Sequence, residues 1–327
     1  MRPPAFWSRP SDSPGWQAHF LSPLSALYAA GTARRLKRPP AFEPKCPVIS
    51  VGNLNVGGTG KTPTVIALTE LLQDRQVHIV SRGYGGSLPG PVKVDLSKHS
   101  AEMVGDEPLL LAAFAPTWIA KDRAAGVALA EDAGAEVIIL DDGHQNPSVP
   151  KTLSLVVVDA SIGFGNGRVL PAGPLREPVS SGLARADMVI AVGEPEAQAR
   201  FHAAWGQKLR VPLATAELRL LETGMDWKDQ NVLAFAGIGH PEKFFRTVRQ
   251  TGANLLRAEP LDDHQPLTDA LMKRLEMEAL ALNAQLVTTE KDAVRLPNSF
   301  RQKVLALPVR LRFQDEAGLS DRLAGLF

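Results

Sequence analysis

From Pro47 onward, short apolar runs alternate with stretches of helical periodicity. The runs PVISVG (47–52), VHIVSRG (77–83), TWIAKD (117–122), EVIILDD (136–142), LSLVVVD (153–159) and ADMVIAVG (186–193) are rich in Val, Ile and Leu and read as strands. Helical spacing lies between them, from Thr64 to Leu72, over EPLLLAAFA (107–115) and near 123–133. Strands that are apolar at nearly every position, joined by helices, imply a parallel sheet covered on both faces. A Gly/Pro-rich connection follows at 163–178. A second part begins near 210–230, with strands predicted at 231–239, 285–290 and 303–311 and helices near 241–250 and 267–283. The expected fold is α/β: a mostly parallel sheet with helices on both faces, and a second, smaller α/β domain. The expected boundaries are 1–45 for an N-terminal segment, 46–215 for the main core and 216–327 for the smaller domain.

The segment before the core has its own pattern. In residues 16–38, Trp16, Phe20, Leu24, Leu27 and Tyr28 recur at helical spacing, and Arg34, Arg35, Lys37 and Arg38 cluster just before Pro39 and Pro40. An apolar face carrying aromatics beside a basic cluster suits a membrane interface. It equally suits a surface helix packed on its own domain, and Pro23 weakens the helix in either case. The rest of the composition adds limits. With 36 basic and 35 acidic residues the net charge is +1, which offers nucleic acid no basic stripe. Nothing in the residues points to an obligate protein partner. Cys46 is the single cysteine, so no disulfide can form within the chain. No run of 18 apolar residues occurs, and the prolines near the N-terminus do not fit a signal peptide; the expectation is a cytoplasmic chain.

Chemistry enters with VGNLNVGGTGKTP (51–63), a glycine-rich turn between a predicted strand and a predicted helix. Successive backbone N–H groups at a helix N-terminus converge on phosphate oxygens, which makes Asn55, Val56, Gly57, Gly58, Thr59, Gly60, Lys61 and Thr62 the candidate nucleotide-phosphate site of a P-loop NTPase-type sheet. Lys61 offers charge to the terminal phosphates and Thr62 a hydroxyl to Mg²⁺. Asn55 stands where the usual pattern has its first glycine, a mild change because Asn tolerates positive φ. Val56 stands where ATPase switches of the deviant-Walker type carry lysine, which argues against that class. A second metal ligand is offered by VIILDDG (137–143), a hydrophobic strand ending in Asp141 and Asp142, the Walker B arrangement.

The acceptor is less legible. In VGDEP (104–108), Asp106 and Glu107 open a predicted helix, where Asp106 could be a base or simply the N-cap. In LDDHQPLT (261–268), His264 could serve as base or relay, or the aspartates and Thr268 could cap the helix that follows. Spacing does not say whether Asp106 and His264 meet.

Together these motifs resemble one family, the tetraacyldisaccharide 4'-kinases of lipid A biosynthesis. The likeness runs through SRGYGG (81–86), VGDEPLLLA (104–112), KDR (121–123), ILDDGHQN (139–146), LPAGPLREP (170–178), FAGIGHPEKFF (235–245), LDDHQ (261–265) and TTEKDAVRL (288–296). The resemblance implies transfer of the γ-phosphate of ATP, with Mg²⁺, to the 4'-hydroxyl of a tetraacyl glucosamine disaccharide 1-phosphate. It implies a peripheral enzyme on the cytoplasmic face of the inner membrane, which favours the interfacial reading of residues 16–38. Carried over motif by motif, Asp106 would receive the hydroxyl proton with His264 as its partner. Thr62, Glu107, Asp141 and Asp142 would surround the metal, and Tyr84, Arg123, Asn146, Arg176 and Glu177 would contact the lipid substrate. Asn146 departs from the family, which often has histidine there; asparagine can hydrogen-bond but carries no charge.

Overall fold

The computed structural model describes residues 3–262 and 265–327. Among the described residues thirteen strands form two sheets: β1 (Val48–Gly52), β2 (Val77–Ser81), β3 (Val92–Lys93), β4 (Thr117–Ile119), β5 (Val137–Asp141), β6 (Leu153–Asp159), β7 (Met188–Val192), β8 (Leu213–Leu220), β9 (Asn231–Ala236), β10 (Asn254–Pro260), β11 (Gln285–Thr289), β12 (Val304–Leu307) and β13 (Val309–Phe313). The large sheet runs β13-β8-β7-β6-β1-β5-β2-β4-β3, and the small one β10-β9-β11-β12. Every pairing is parallel except those of the two edge strands of the large sheet, β3 with β4 and β13 with β8.

The predicted central strands are all present, for the reason their composition gives. Residues of β1, β5, β6 and β7 are buried at every position, because helices cover both faces. On one face Ile49, Ile139, Val157 and Ile190 meet Val65 and Leu68 of the helix Lys61–Leu71. On the other, Phe164 packs edge-on against Trp205 at 5.0 Å over Val156 and Val189. In the small sheet β9 alternates, with Val232 and Ala234 facing Phe245 while Leu233 and Phe235 face Leu275.

Two features depart from the sequence pattern. The boundary expected between residues 215 and 216 falls inside β8, which belongs to the large sheet. The run 303–311, read as one strand, is two: β12 closes the small sheet, and after Pro308 the chain crosses so that β13 pairs with β8. Proline has no N–H to donate to a ladder, which makes it a natural point of transfer between sheets. The last helix, Ala317–Ala324, then buries Leu319 and Leu323 in the core of the large sheet.

The N-terminal helix is Trp16–Leu36, with Pro23 inside it. Its buried positions are the small residues Ala18, Ser25 and Thr32; Ser25 donates to the carbonyl of Val169 at 2.8 Å and accepts from the N–H of Ala172 at 3.1 Å. The large apolar side chains point outward: Trp16 is 72% exposed, Phe20 77% and Leu27 72%. Among the described residues no helix is long and apolar enough to cross a membrane.

Because the sheet is parallel, the C-terminal ends of β1, β5, β2, β6 and β7 share one edge, where ligands of open α/β sheets bind. Gly52 closes β1 against the turn after β5: a Cβ there would lie 2.4 Å from Cβ of His144. Gly52→Ala is expected to cost about 1–3 kcal/mol of stability, the usual scale of overpacking. Urea unfolding should show a lower midpoint with an unchanged slope.

Candidate functional site at the carboxyl edge of the large sheet

The loop between β1 and the helix Lys61–Leu71 turns through Gly57 and Gly60, whose φ values of 107° and 96° exclude ordinary side chains. Buried Asn53 braces it, its Nδ2 donating to the carbonyl of Gly57 at 3.2 Å and to Oγ1 of Thr59 at 3.0 Å. Asn55 is not in the left-handed region. It forms a β-bridge with Leu175 and donates from Nδ2 to the carbonyl of Gly163 at 3.1 Å, while the N–H of Val56 donates to Pro174 at 2.8 Å. The first half of the loop is therefore strapped to the Gly/Pro-rich connection, and the side-chain amide, more than tolerance of positive φ, is what asparagine supplies. Gly58, Lys61 and Thr62 face the large cleft between the two sheets.

Two carboxylates sit beside the loop in different environments. Asp141 ends β5 almost fully buried; Oδ2 accepts from Oγ of Ser81 at 2.9 Å, and Oδ1 has no hydrogen-bond partner. Asp142 adopts φ of 53° and turns to cations, with Nη1 of Arg176 at 3.0 Å from both oxygens and Nζ of Lys61 at 3.6 Å. Burial raises the pKa of Asp142, but Lys61 and Arg176 outweigh it and hold the carboxyl below its ordinary value. Asp141 goes the other way: burial first, then the negative charges of Glu107 and Asp142, push it from 3.8 to about 6 against the pull of Lys61.

Across the cleft, Asp106 and Glu107 begin the helix Asp106–Leu111. Gly105 is the N-cap, so Asp106 stands inside the first turn, not before it as the capping reading has it. Asp106 is 4% exposed, and its Oδ1 accepts from the N–H of Glu107 at 3.0 Å. Both carboxylates meet cations from the small sheet's domain: Nζ of Lys291 is 3.1 Å from Oε1 of Glu107, and Nε of Arg295 is 3.9 Å from Oδ2 of Asp106. No role was read for these cations from the sequence. The available signal was their spacing of four within TTEKDAVRL, which puts both on one side of a helical turn. His264 lies outside the described residues.

The five candidate substrate contacts divide. Tyr84, Arg176 and Asn146 line the cleft. The Oδ1 of Asn146 closes a turn by accepting from the N–H of Ser148 at 2.8 Å and its hydroxyl at 2.6 Å. Arg123 reaches the cleft but is buried, donating to the carbonyls of Ala120 at 2.8 Å and Asp141 at 3.1 Å; burial lowers its pKa to about 10, so it stays charged. Glu177 does not line the cleft. Its carboxylate is buried and accepts from Arg185 at 2.8 and 2.9 Å and from Gln145 at 3.0 Å.

The fold is a mostly parallel α/β sheet, in which a glycine turn opens a helix N-terminus beside a strand that ends in aspartate, an arrangement suited to an anionic ligand. The Tetraacyldisaccharide-1-P 4'-kinase family matches residues 17–327, and the chain belongs to it. It is 61% identical to the tetraacyldisaccharide 4'-kinase of Dinoroseobacter shibae over 100% of this chain and 98% of that one. It is 56% identical to the one of Jannaschia sp., over 96% of each. The crystal structure of LpxK from Aquifex aeolicus in complex with ATP superposes with a TM-score of 0.77 at 28% identity, covering 95% of this chain and 99% of that one.

The raised Asp141 has a measurable consequence. Folded protein keeps this proton where the unfolded chain has released it, so the group's contribution to stability falls as pH rises from about 4 to 6. Above that window the full cost, on the order of 3 kcal/mol, is present. Asp141→Asn should therefore raise the melting temperature of metal- and nucleotide-free protein at pH 7.5 and flatten the decline between pH 4 and 6. Equal stability of the two proteins at pH 7.5 would refute the assignment.

Proposed function

We infer that this chain transfers the γ-phosphate of ATP to the 4'-hydroxyl of a tetraacyl disaccharide 1-phosphate. The observation that carries the reading is Asp106: a buried carboxylate in the same cleft as the phosphate loop and Lys61, faced by the Arg295 guanidinium from the second sheet's domain.

The loop's N–H groups from Gly57 to Thr62 and the ammonium of Lys61 take the triphosphate. The residues fit a divalent cation as well: Asp141 leaves a buried oxygen without a hydrogen-bond partner, and its raised pKa marks a site short of positive charge. Among the described residues no three His, Cys, Asp or Glu side chains form a metal cage. That is the habit of Mg²⁺, which uses one or two carboxylates and leaves the rest to phosphate and water. Thr62 and Asp141 would hold it, with Asp142 and Glu107 nearby, and the ion would neutralise charge on the phosphates. Asp142 is committed to Arg176 and Lys61, so of the pair Asp141 would be the direct ligand. Asp106 accepts the proton of the 4'-hydroxyl as the new O–P bond forms and the bond between γ-phosphorus and the bridging oxygen breaks, leaving ADP. His264 relays that proton. Arg176 and Tyr84 position the substrate, and Arg123 fixes the strand ends beneath it. Glu177 acts through Arg185 and Gln145, and Asn146 through the turn it closes.

The acceptor's acyl chains belong to a bilayer, and the helix Trp16–Leu36 suits the cytoplasmic surface of the inner membrane. Its buried positions are small residues, with Ser25 bonded to the 169–172 segment, leaving Trp16, Phe20 and Leu27 for an acyl boundary and Arg34 and Arg35 for anionic headgroups.

Incubation with γ-labelled ATP, Mg²⁺ and the disaccharide 1-phosphate in detergent should move label into the lipid phase; ATP hydrolysis without labelled lipid would sink the reading. Asp106→Ala is expected to lower kcat by about 10²-fold or more, the scale of a lost general base, with ATP affinity kept. For the membrane, replacing Trp16, Phe20 and Leu27 together by Glu should release the protein from anionic vesicles while activity on detergent-dispersed substrate remains. Vesicle binding equal to wild type would refute the interfacial assignment.

A further inference from the structure

Arg295 joins the buried Asp106 to the small sheet's domain and to Gln265 of the LDDHQ motif at once. Its side chain is 11% exposed. Nη1 donates to the carbonyl of Gln265 at 3.0 Å, Nη2 pairs with Oδ1 of Asp292, and Nε faces Oδ2 of Asp106 at 3.9 Å. Asp292 is fully buried and rigidly held: its Oδ2 accepts from the N–H of Gly237 at 3.0 Å and from Oγ1 of Thr289 at 2.8 Å. The end of β9 makes room for this arrangement, since a Cβ on Gly237 would lie 2.9 Å from Nη2 of Arg295 and 3.1 Å from Oδ1 of Asp292. Gln265 is itself fixed to Asp262 by reciprocal bonds of 2.9 Å.

We propose that Arg295 is a positioning residue for phosphoryl transfer: anchored by Asp292 and tied to the carbonyl of Gln265, its guanidinium orients the Asp106 carboxylate. A purely structural arginine satisfying Asp292 would need only one edge of its fork. Here Nε has no hydrogen-bond partner and is buried, turned to a carboxylate of the other sheet's domain. A buried donor left so is costly unless that carboxylate compensates it. The planar fork makes arginine suited to three fixed directions, which a lysine cannot serve together.

The inference rests on Asp106 as the proton acceptor, and the test separates the two. Label transfer by wild type, and its loss in Asp106→Asn, bear on the activity itself. Given those, Arg295→Gln should lower kcat by about 10²-fold with the KM for ATP within about threefold, and Arg295→Lys should recover part of the loss. In the Asp106→Asn background, Arg295→Gln should cost less than about threefold, because both changes remove one coupled unit. An equal loss in both backgrounds, or an Arg295→Lys enzyme no better than Arg295→Gln, would overturn the proposal. Melting temperatures are read in parallel; if Arg295→Gln does not fold, the same cycle is run with Arg295→Lys, whose loss should likewise vanish beside Asp106→Asn.

Discussion

A carboxylate held out of water at the end of β5 organises the site. Burying an ionised group without a partner is expensive, and a structure that does so must place compensating charge close by. Asp141 receives one hydroxyl from β2 and the field of Lys61, while Arg123 spends its guanidinium on the carbonyls beneath. The shortage of positive charge that remains is one that a bound cation would relieve. The neighbouring Asp142 shows the contrast: one residue on, a left-handed turn swings its carboxylate to Arg176 and Lys61, and the deficit is gone.

The same edge depends on a second sheet that is not independent of the first. Arg310 on β13 pairs with Glu290 at 2.9 Å and Glu70 at 3.3 Å, and Lys243 reaches Asp159 at 2.5 Å. Lys291 and Arg295 add further contacts of this kind, against the Glu107 and Asp106 carboxylates. Partly exposed pairs contribute little stability one by one. Their use is orientation, since Lys243, Lys291 and Arg295 bring cations from one sheet's part to carboxylates carried by the other's.

The N-terminal helix inverts the ordinary surface pattern. A helix docked on its own domain normally turns its large apolar residues inward. Here the buried positions are Ala18, Ser25 and Thr32, and Ser25 ties the helix to the 169–172 backbone by hydrogen bonds. The periodicity of Trp16, Phe20 and Leu27 was legible from the chain, but which way that stripe faced was not, because a 3.6-residue repeat defines a face and not its partner.

By itself the sequence determined the buried parallel strands, the glycine turn with Lys61 and Thr62, and the carboxylates at the ends of β5 and of the GDEP segment. Each follows from a local rule of periodicity or backbone freedom that acts within a few residues. Strands lying at or near a sheet edge escaped it. β8 alternates around Glu217 and Arg219, and β10 is mostly exposed, so neither shows a continuous apolar run. Only the tertiary structure decided that 303–311 splits at Pro308 between two sheets, that Glu177 turns away from the cleft, and that Arg295 crosses to Asp106. Those outcomes join residues far apart in the chain, and a pairing between distant side chains leaves no periodic trace in either segment.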